Sequence, residues 1–381
     1  MVKKNSKKCV LSVCDIAPVR FGSFEEFMVG LTKRLKAQGY EHVIIFREWP
    51  IESVECALFE AGAYIEKMVP HKSSIINFIK MNSMIRTFRP DVIHFHFYPI
   101  HTALNCLKLL HKVQLIYTGH MGGKRAKTQL RNVLRKVYYS SNSFLFDGGI
   151  DKIICVSKYV KEDYFREYGI KTNKACVIYN GINVERYSKK EDIGELKQRY
   201  GITDEFVITC VSLRKDKGAH CLVKAAPKII DNIKNVKFML VGSGECKDYL
   251  MEKIKNENLA DYFIFTGIVP DIADIYSISS CVVMPSIFEE ACPFTAIEAM
   301  ACGSPVISFD SGGAKEVVTT EVGYIIEKKV ELLSDTIINY YKNNEYISMS
   351  QKGVTLMRDN FSIELCIDEY INVYVSLTAT N

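Results

Sequence analysis

The sequence predicts an α/β protein built from two Rossmann-like domains that face each other across a cleft. Three observations predict it. Short runs rich in β-branched residues alternate with helical stretches along all 381 residues, the signature of parallel sheets covered on both faces. That rhythm occurs twice, in two sets separated by a polar, charged stretch at Ile182–Arg199. A chain of this length also exceeds one ordinary core and suits two.

In the first set "CVLSVCD" reads as a strand, followed by a loop with Pro18 and Gly22. A helix from about Phe24 to Gln38 follows, stopped by Gly39. "HVIIF", "DVIHFHF", "VQLIYTG" and "KIICVS" are further strands. The second set holds "FVITCVS", "KFMLVGSG", "YFIFTG", "SCVVMPS" and "PVISFDS". The expected domains are 1–185 and 186–360, with a C-terminal helix at 361–381 packing back toward the first. The basic start and short apolar run at the N-terminus imitate a signal peptide. Asp15 interrupts that run and no small-residue cleavage site follows, so a first strand is expected.

Composition narrows the class. The 48% hydrophobic and 24% charged residues are those of a soluble globular protein, and no apolar run is long enough to span a membrane. The 13 cysteines show neither Cys-x-x-Cys nor zinc-ligand spacing. They read as reduced, buried small hydrophobes of a cytosolic protein. Charge is uneven: residues 1–190 hold 31 Lys+Arg against 16 Asp+Glu, a net of +15, and residues 191–381 hold 18 against 28, a net of −10. A basic first half suits an anionic partner such as lipid head groups, a phosphorylated acceptor or nucleic acid.

Ligands of open parallel sheets bind at the carboxyl ends of the strands, so the residues after each strand are the candidates. Gly22 suits a loop whose amides approach a ligand closely. His120 follows a strand beside Gly122 and Gly123 and is placed for substrate contact, or for a structural hydrogen bond. His94 and His96 share one face of their strand. Arg214, Lys215 and Lys217 crowd a turn beside Gly218, a combination suited to a diphosphate; Gly242-x-Gly244 follows the next strand. The segment "FEEACPFTAIEAMACGSPVISFDSGG" carries Glu290 in a loop and Glu298 in a helix, with Pro293 in the first helical turn. The amides at Phe294 and Thr295, beside Cys292, can receive a phosphate. The two glutamates, with no basic partner close in sequence, suit sugar hydroxyls. Helical spacing throughout would separate them by about 12 Å. One nucleotide sugar could then span both, with hexose at Glu290 and ribose at Glu298.

Glu290, seven residues, Glu298 and then "EAMACGSPVISFDSGGAKEVV" resemble the signature of family 4 retaining glycosyltransferases of the GT-B fold. "VIYNGINVERY", "LRKDKGAHCLVKA", "MLVGSGE", "FTGIVPDIADIYSISSCVVMPS" and "VGYIIE" fall in the order expected of that family. The resemblance implies a nucleotide-diphosphate sugar as co-substrate, with no further cofactor and no metal, in keeping with the lack of an Asp-x-Asp motif. It implies that Glu290 orients the donor sugar, Glu298 holds the ribose, Lys217 neutralises the diphosphate and Gly22 and His120 lie near the reacting carbon. Catalytic roles accordingly fall to His120, Glu290 and Lys217, and donor contacts extend to Ser212, Arg214, Gly242 and the base-binding backbone at Gly267 and Ile268. Three departures stand out. Ser212 replaces a frequent arginine, which Arg214 could substitute; Gly22-Ser23 replaces two glycines; and Pro293 removes one amide from the phosphate loop.

The acceptor is not written in these motifs. Basic residues at 124–138 with apolar residues at helical spacing suit an anionic membrane surface, favouring a lipid-linked or glycan acceptor and a peripheral position on the cytoplasmic membrane face. Fold does not set the reaction, so a GT-B isomerase or phosphorylase and a catalytically silent subunit stand as alternatives. Nucleic-acid binding has no recognition motif.

Overall fold

The computed structural model describes residues 7–69, 74–98, 107–120, 149–168 and 172–379. The chain forms two compact units, one of Met1–Gly181 with Ile363–Asn381 and one of Ile182–Ser362. It therefore leaves the first unit at 181/182 and returns at 362/363.

The first unit holds a seven-stranded sheet: β1 (Lys8–Cys14), β2 (Tyr40–Phe46), β3 (Tyr64–Lys67), β4 (Val92–His96), β5 (Gln114–Gly119), β6 (Lys152–Cys155) and β7 (Ala175–Val177). Their spatial order is β3-β2-β1-β4-β5-β6-β7, and every pairing is parallel. β1 lies between two strands and all its residues but Lys8 are buried, which explains its unbroken apolar run. β3 and β7 escape a reading of the sequence because four and three residues, partly exposed, carry no periodic signal.

The second unit holds β8 (Phe206–Val211), β9 (Val236–Val241), β10 (Phe263–Gly267), β11 (Cys281–Met284), β12 (Val306–Phe309) and β13 (Gly323–Ile326). They too are all parallel, in the order β10-β9-β8-β11-β12-β13. Both sheets thus reverse direction next to their own first strand, between β1 and β4 and between β8 and β11. Loops at such a reversal part to opposite faces and leave a crevice at the strands' carboxyl ends.

The last helix, Ile363–Thr378, belongs to the first unit and lies on the helix Ser23–Ala37. Ile363, Cys366, Ile367, Tyr370, Ile371 and Tyr374 are its buried face, at the spacing of one helical stripe. Each large apolar side chain there contributes about 2 kcal/mol by burial. Gly30 permits the close crossing, since a Cβ there would stand 2.5 Å from Ile367 Cδ1. Among the described residues no disulfide joins two cysteines; Cys9, Cys14, Cys155, Cys210, Cys281, Cys292 and Cys302 are buried, Cys176 in β7 is half-buried and Cys56 is exposed. Among the described residues no helix is long and apolar enough to cross a membrane. The basic segment 124–138 lies outside the described residues.

Candidate functional site

In the second unit the loops after β8, β9, β10, β11 and β12 are stitched together by backbone hydrogen bonds. Ser212 N–H donates to Val241 O, Leu213 N–H to Ser243 O and Gly242 N–H to Gly267 O. Ile287 and Phe288 N–H donate to Asp216 O, and Gly313 N–H donates to Glu290 O at 2.7 Å. The sequence-predicted donor residues Ser212, Gly242, Gly267 and Glu290 are thereby parts of one network.

At the reversal between β8 and β11 stands an ion pair: Lys217 Nζ donates to Glu290 Oε1 at 2.6 Å. Ser286 Oγ donates to the same oxygen at 2.6 Å. Glu290 is 5% exposed. Glu290, read in the sequence against sugar hydroxyls, thus also has a basic partner. Its partner lies 73 residues away in sequence and only strand order brings it close.

The helix carrying Glu298 runs Phe294–Ala301, with Pro293 as N-cap in extended geometry rather than in the first turn. Residues 290–293 are not helical, so the 12 Å estimate from helical rise does not describe the Glu290–Glu298 separation. The first backbone donors of the helix, at Phe294 and Thr295, have no partner within it; Ala296 and Ile297 N–H both turn back to Pro293 O. Phe294 and Thr295 are half-buried and Cys292 is buried. Glu298 accepts from Tyr276 OH at 3.4 Å.

The basic turn differs from expectation. Lys215–Lys217 form a 3-10 turn, and Gly218 precedes the helix Ala219–Asn232. Gly218 has φ +74, and a Cβ on it would stand 1.9 Å from Pro285 O. The glycine is required there for close passage of two backbones, the loops after β8 and β11. Arg214 is exposed and held by Asp216 through two hydrogen bonds of 3.0 and 2.6 Å, a contact that raises its pKa and lowers that of Asp216. Ser212 takes φ +75, a left-handed conformation uncommon for a residue with a side chain. Ile268 is 78% exposed beside Gly267 at φ +67.

In the first unit, Gly22 is the N-cap of Ser23–Ala37. Its N–H donates to Glu25 Oε2 at 3.1 Å, so the amide expected to face a ligand is engaged within its own turn. His120 follows β5, and its Nε2 lies 3.1 Å from His96 Nδ1. Phe97 stacks on it at 4.1 Å. Burial pushes the His120 imidazole down to about 3. His94 is wholly buried between Tyr374 OH at 2.6 Å and Thr118 Oγ1 at 2.7 Å; it is structural.

Ser286, Asp216, Tyr276 and Gly313 are absent from the sequence-based site. A serine two residues after a strand and a glycine pair after another carry no distinctive spacing. Among the described residues no group of three or more His, Cys, Asp or Glu could hold a metal ion.

Two reversed parallel sheets, with a cation, a carboxylate and an open helix start at one reversal, define the GT-B class of protein. Residues 25–186 match the family described as Glycosyltransferase Family 4, and residues 192–353 match Glycosyl transferases group 1. An uncharacterized glycosyltransferase of Methanocaldococcus jannaschii is 29% identical over 238 residues, 58% of this chain and 59% of that protein. The N-acetyl-alpha-D-glucosaminyl L-malate synthase of Bacillus anthracis is 29% identical over 211 residues, 54% of this chain and 55% of that protein. The aligned part thus spans little more than half of these two relatives. In fold, the chain is similar to a glycosyltransferase from Rickettsia africae (TM-score 0.84, 20% identity, 98% of this chain and 100% of that one). It is also similar to Anabaena HepE in complex with UDP (TM-score 0.80, 19% identity, 96% and 99%). Two glycosyltransferase family models thus match successive parts of the chain, and these solved structures share its GT-B fold.

Proposed function

We propose that this protein transfers a hexose from a nucleotide-diphosphate sugar to a glycan or lipid-linked acceptor, with retention of anomeric configuration and without a metal ion. The observation that carries this reading is the Lys217–Glu290 pair, set beside the amides of Phe294 and Thr295, which have no backbone partner among the described residues. An arriving diphosphate competes for Lys217 and takes the helix-start amides. Glu290, released from its cation, then accepts hydrogen bonds from sugar hydroxyls, while Glu298 takes the ribose. Charge developing on the leaving diphosphate is met by Lys217 and by fixed amide dipoles, which need no reorganisation at the moment of reaction. In this reading Glu290 orients the sugar and is not a covalent nucleophile. His120 and Gly22 serve the acceptor side of the reacting carbon.

The resemblance and a neighbour of the same fold with UDP bound support a nucleotide-sugar donor. Surface polysaccharide or glycolipid synthesis is the proposed setting, with the protein cytoplasmic and peripheral on the membrane face through the basic segment 124–138. The test is a thermal-shift screen with UDP-, GDP- and ADP-sugars, since a bound ligand stabilises by mass action. Labelled sugar is then presented with a lipid extract and the product anomer determined. One donor should raise Tm and yield an α-linked or β-linked product matching its own anomer. Absence of any donor-dependent product would favour a silent subunit, and an inverted product would refute retention.

A further inference from the structure

We propose that His96 sets the tautomer of His120, so that His120 offers an N–H at Nδ1 to an oxygen of the bound ligand. His96 closes β4, at the reversal of the first sheet, and is fully buried. Its Nδ1 lies 3.1 Å from His120 Nε2. Both rings are neutral: burial holds His96 well below its ordinary range, with His94 and His120 adding repulsion, and it lowers His120 likewise. Between two neutral imidazoles one nitrogen donates and the other accepts.

The direction follows from the other end of the His96 ring. Its Nε2 is buried with no hydrogen-bond partner among the described residues. Were Nδ1 the acceptor, the His96 proton would sit on Nε2 as an unpaired buried donor. With Nδ1 donating, Nε2 is a bare lone pair. Buried unpaired N–H groups are the rarer and costlier case. His96 therefore donates to His120 Nε2, and His120 keeps its own proton on Nδ1, which makes no hydrogen bond among the described residues.

The surroundings fix both rings in place. Phe24 meets them edge-on at 5.7 and 5.5 Å, and Phe97 stacks on His120. Phe97 has φ +56, a strained conformation that persists only where packing imposes it. Below, His94 lies 3.9 Å from His96, ring to ring, with both its nitrogens bonded. A ring so held, protonated at Nδ1, is a hydrogen-bond donor there and cannot serve as a base at that atom. His96 is a positioning residue. That the oxygen belongs to a sugar nucleotide rests on the proposed function; the tautomer does not.

The tautomer is read by two-bond ¹H–¹⁵N spectra of ¹⁵N-histidine-labelled full-length protein at pH 7.5, assigned by single substitutions. Protonated Nδ1 on both His96 and His120 is expected; a His120 protonated at Nε2 overturns the proposal. In activity, His96→Leu should lower kcat/KM at least about 10-fold. His96→Asn keeps a donor at the Nδ1 position and should stay within about 3-fold of the parent. Equal losses in both variants at equal Tm would refute a tautomer-setting role. A parent protein that turns over no donor sinks the proposed function, and the spectra still decide the tautomer.

Discussion

Lys217 and Glu290 form a 2.6 Å ion pair between two loops that the sequence keeps 73 residues apart. Glu290 is nearly buried, whereas Lys217 keeps part of its side chain in solvent. A carboxylate in that setting is costly without its cation and, among the described residues, has only Ser286 besides. Lys217→Ala should destabilise the protein by about 2 kcal/mol, less than for a fully buried pair because the lysine is partly exposed. Lys217→Ala/Glu290→Gln should recover part of that loss, as read by urea unfolding. Either single variant should lose donor turnover by about 100-fold or more. If the double variant is less stable than Lys217→Ala, the pair is not what holds the loops.

Two glycines with nearly equal positive φ should behave differently. At Gly218 an added Cβ meets Pro285 O at 1.9 Å, while at Gly267 nothing lies within 4 Å. Gly267→Ala carries only backbone strain, about 1 kcal/mol. Gly218→Ala must also push apart the loops bearing Lys217 and Glu290, and should cost at least about 3 kcal/mol together with donor binding. Thermal melts with and without the nucleotide sugar compare them; equal shifts would contradict the steric argument.

The buried histidines predict acid sensitivity. His42 is held at about 3, between Ser12 and Thr32 hydroxyls at 2.8 Å each, and His120 at about 3. Both fall from an ordinary 6.5 through burial, and His94 and His96 are lowered too. The folded state therefore binds fewer protons than the unfolded state between pH 6.5 and about 3. Stability is fully present above 6.5 and is lost as pH falls through that window, by up to about 1.4 kcal/mol per pH unit for each such histidine. Urea midpoints should fall steeply from pH 7 to pH 5, and His42→Leu should flatten the slope. A flat profile would mean that the histidines titrate normally.

Ending the chain after Ser362 removes the helix Ile363–Thr378 and uncovers the first unit's core. Tyr374 OH on His94, Tyr370 OH on Thr118 and Tyr40 OH on Thr378 are lost with it. Because each buried side chain lost costs about 2 kcal/mol, the shortened protein should aggregate or bind hydrophobic dyes. A soluble, cooperatively folded product would show that the helix is dispensable.

Much of the fold is legible in sequence because it rests on local periodicity. Parallel strands buried on both faces must be apolar throughout, and "CVLSVC", "FVITCV" and "SCVVM" show it. The helix start between Glu290 and Glu298 is legible too, because it is a local arrangement. Gly22 was not: an N–H reads as free until Glu25, three residues on, is seen to occupy it. Nor was Arg214, whose charge turns to Asp216.

By itself the sequence determined the alternation of strand and helix, the two sets, the residues at the strand ends and the chemistry those residues can perform. Only the tertiary structure decided which of them meet. Lys217 reaches Glu290, and Gly218 passes Pro285, because β11 pairs with β8 while β9 and β10 lie on β8's other side. His96 meets His120 because β4 pairs with β5 in a register that sets His96 opposite Thr118. Sequence periodicity records which face of an element is buried, but strand order is a long-range choice settled by packing the whole sheet, and the site is made where that order reverses.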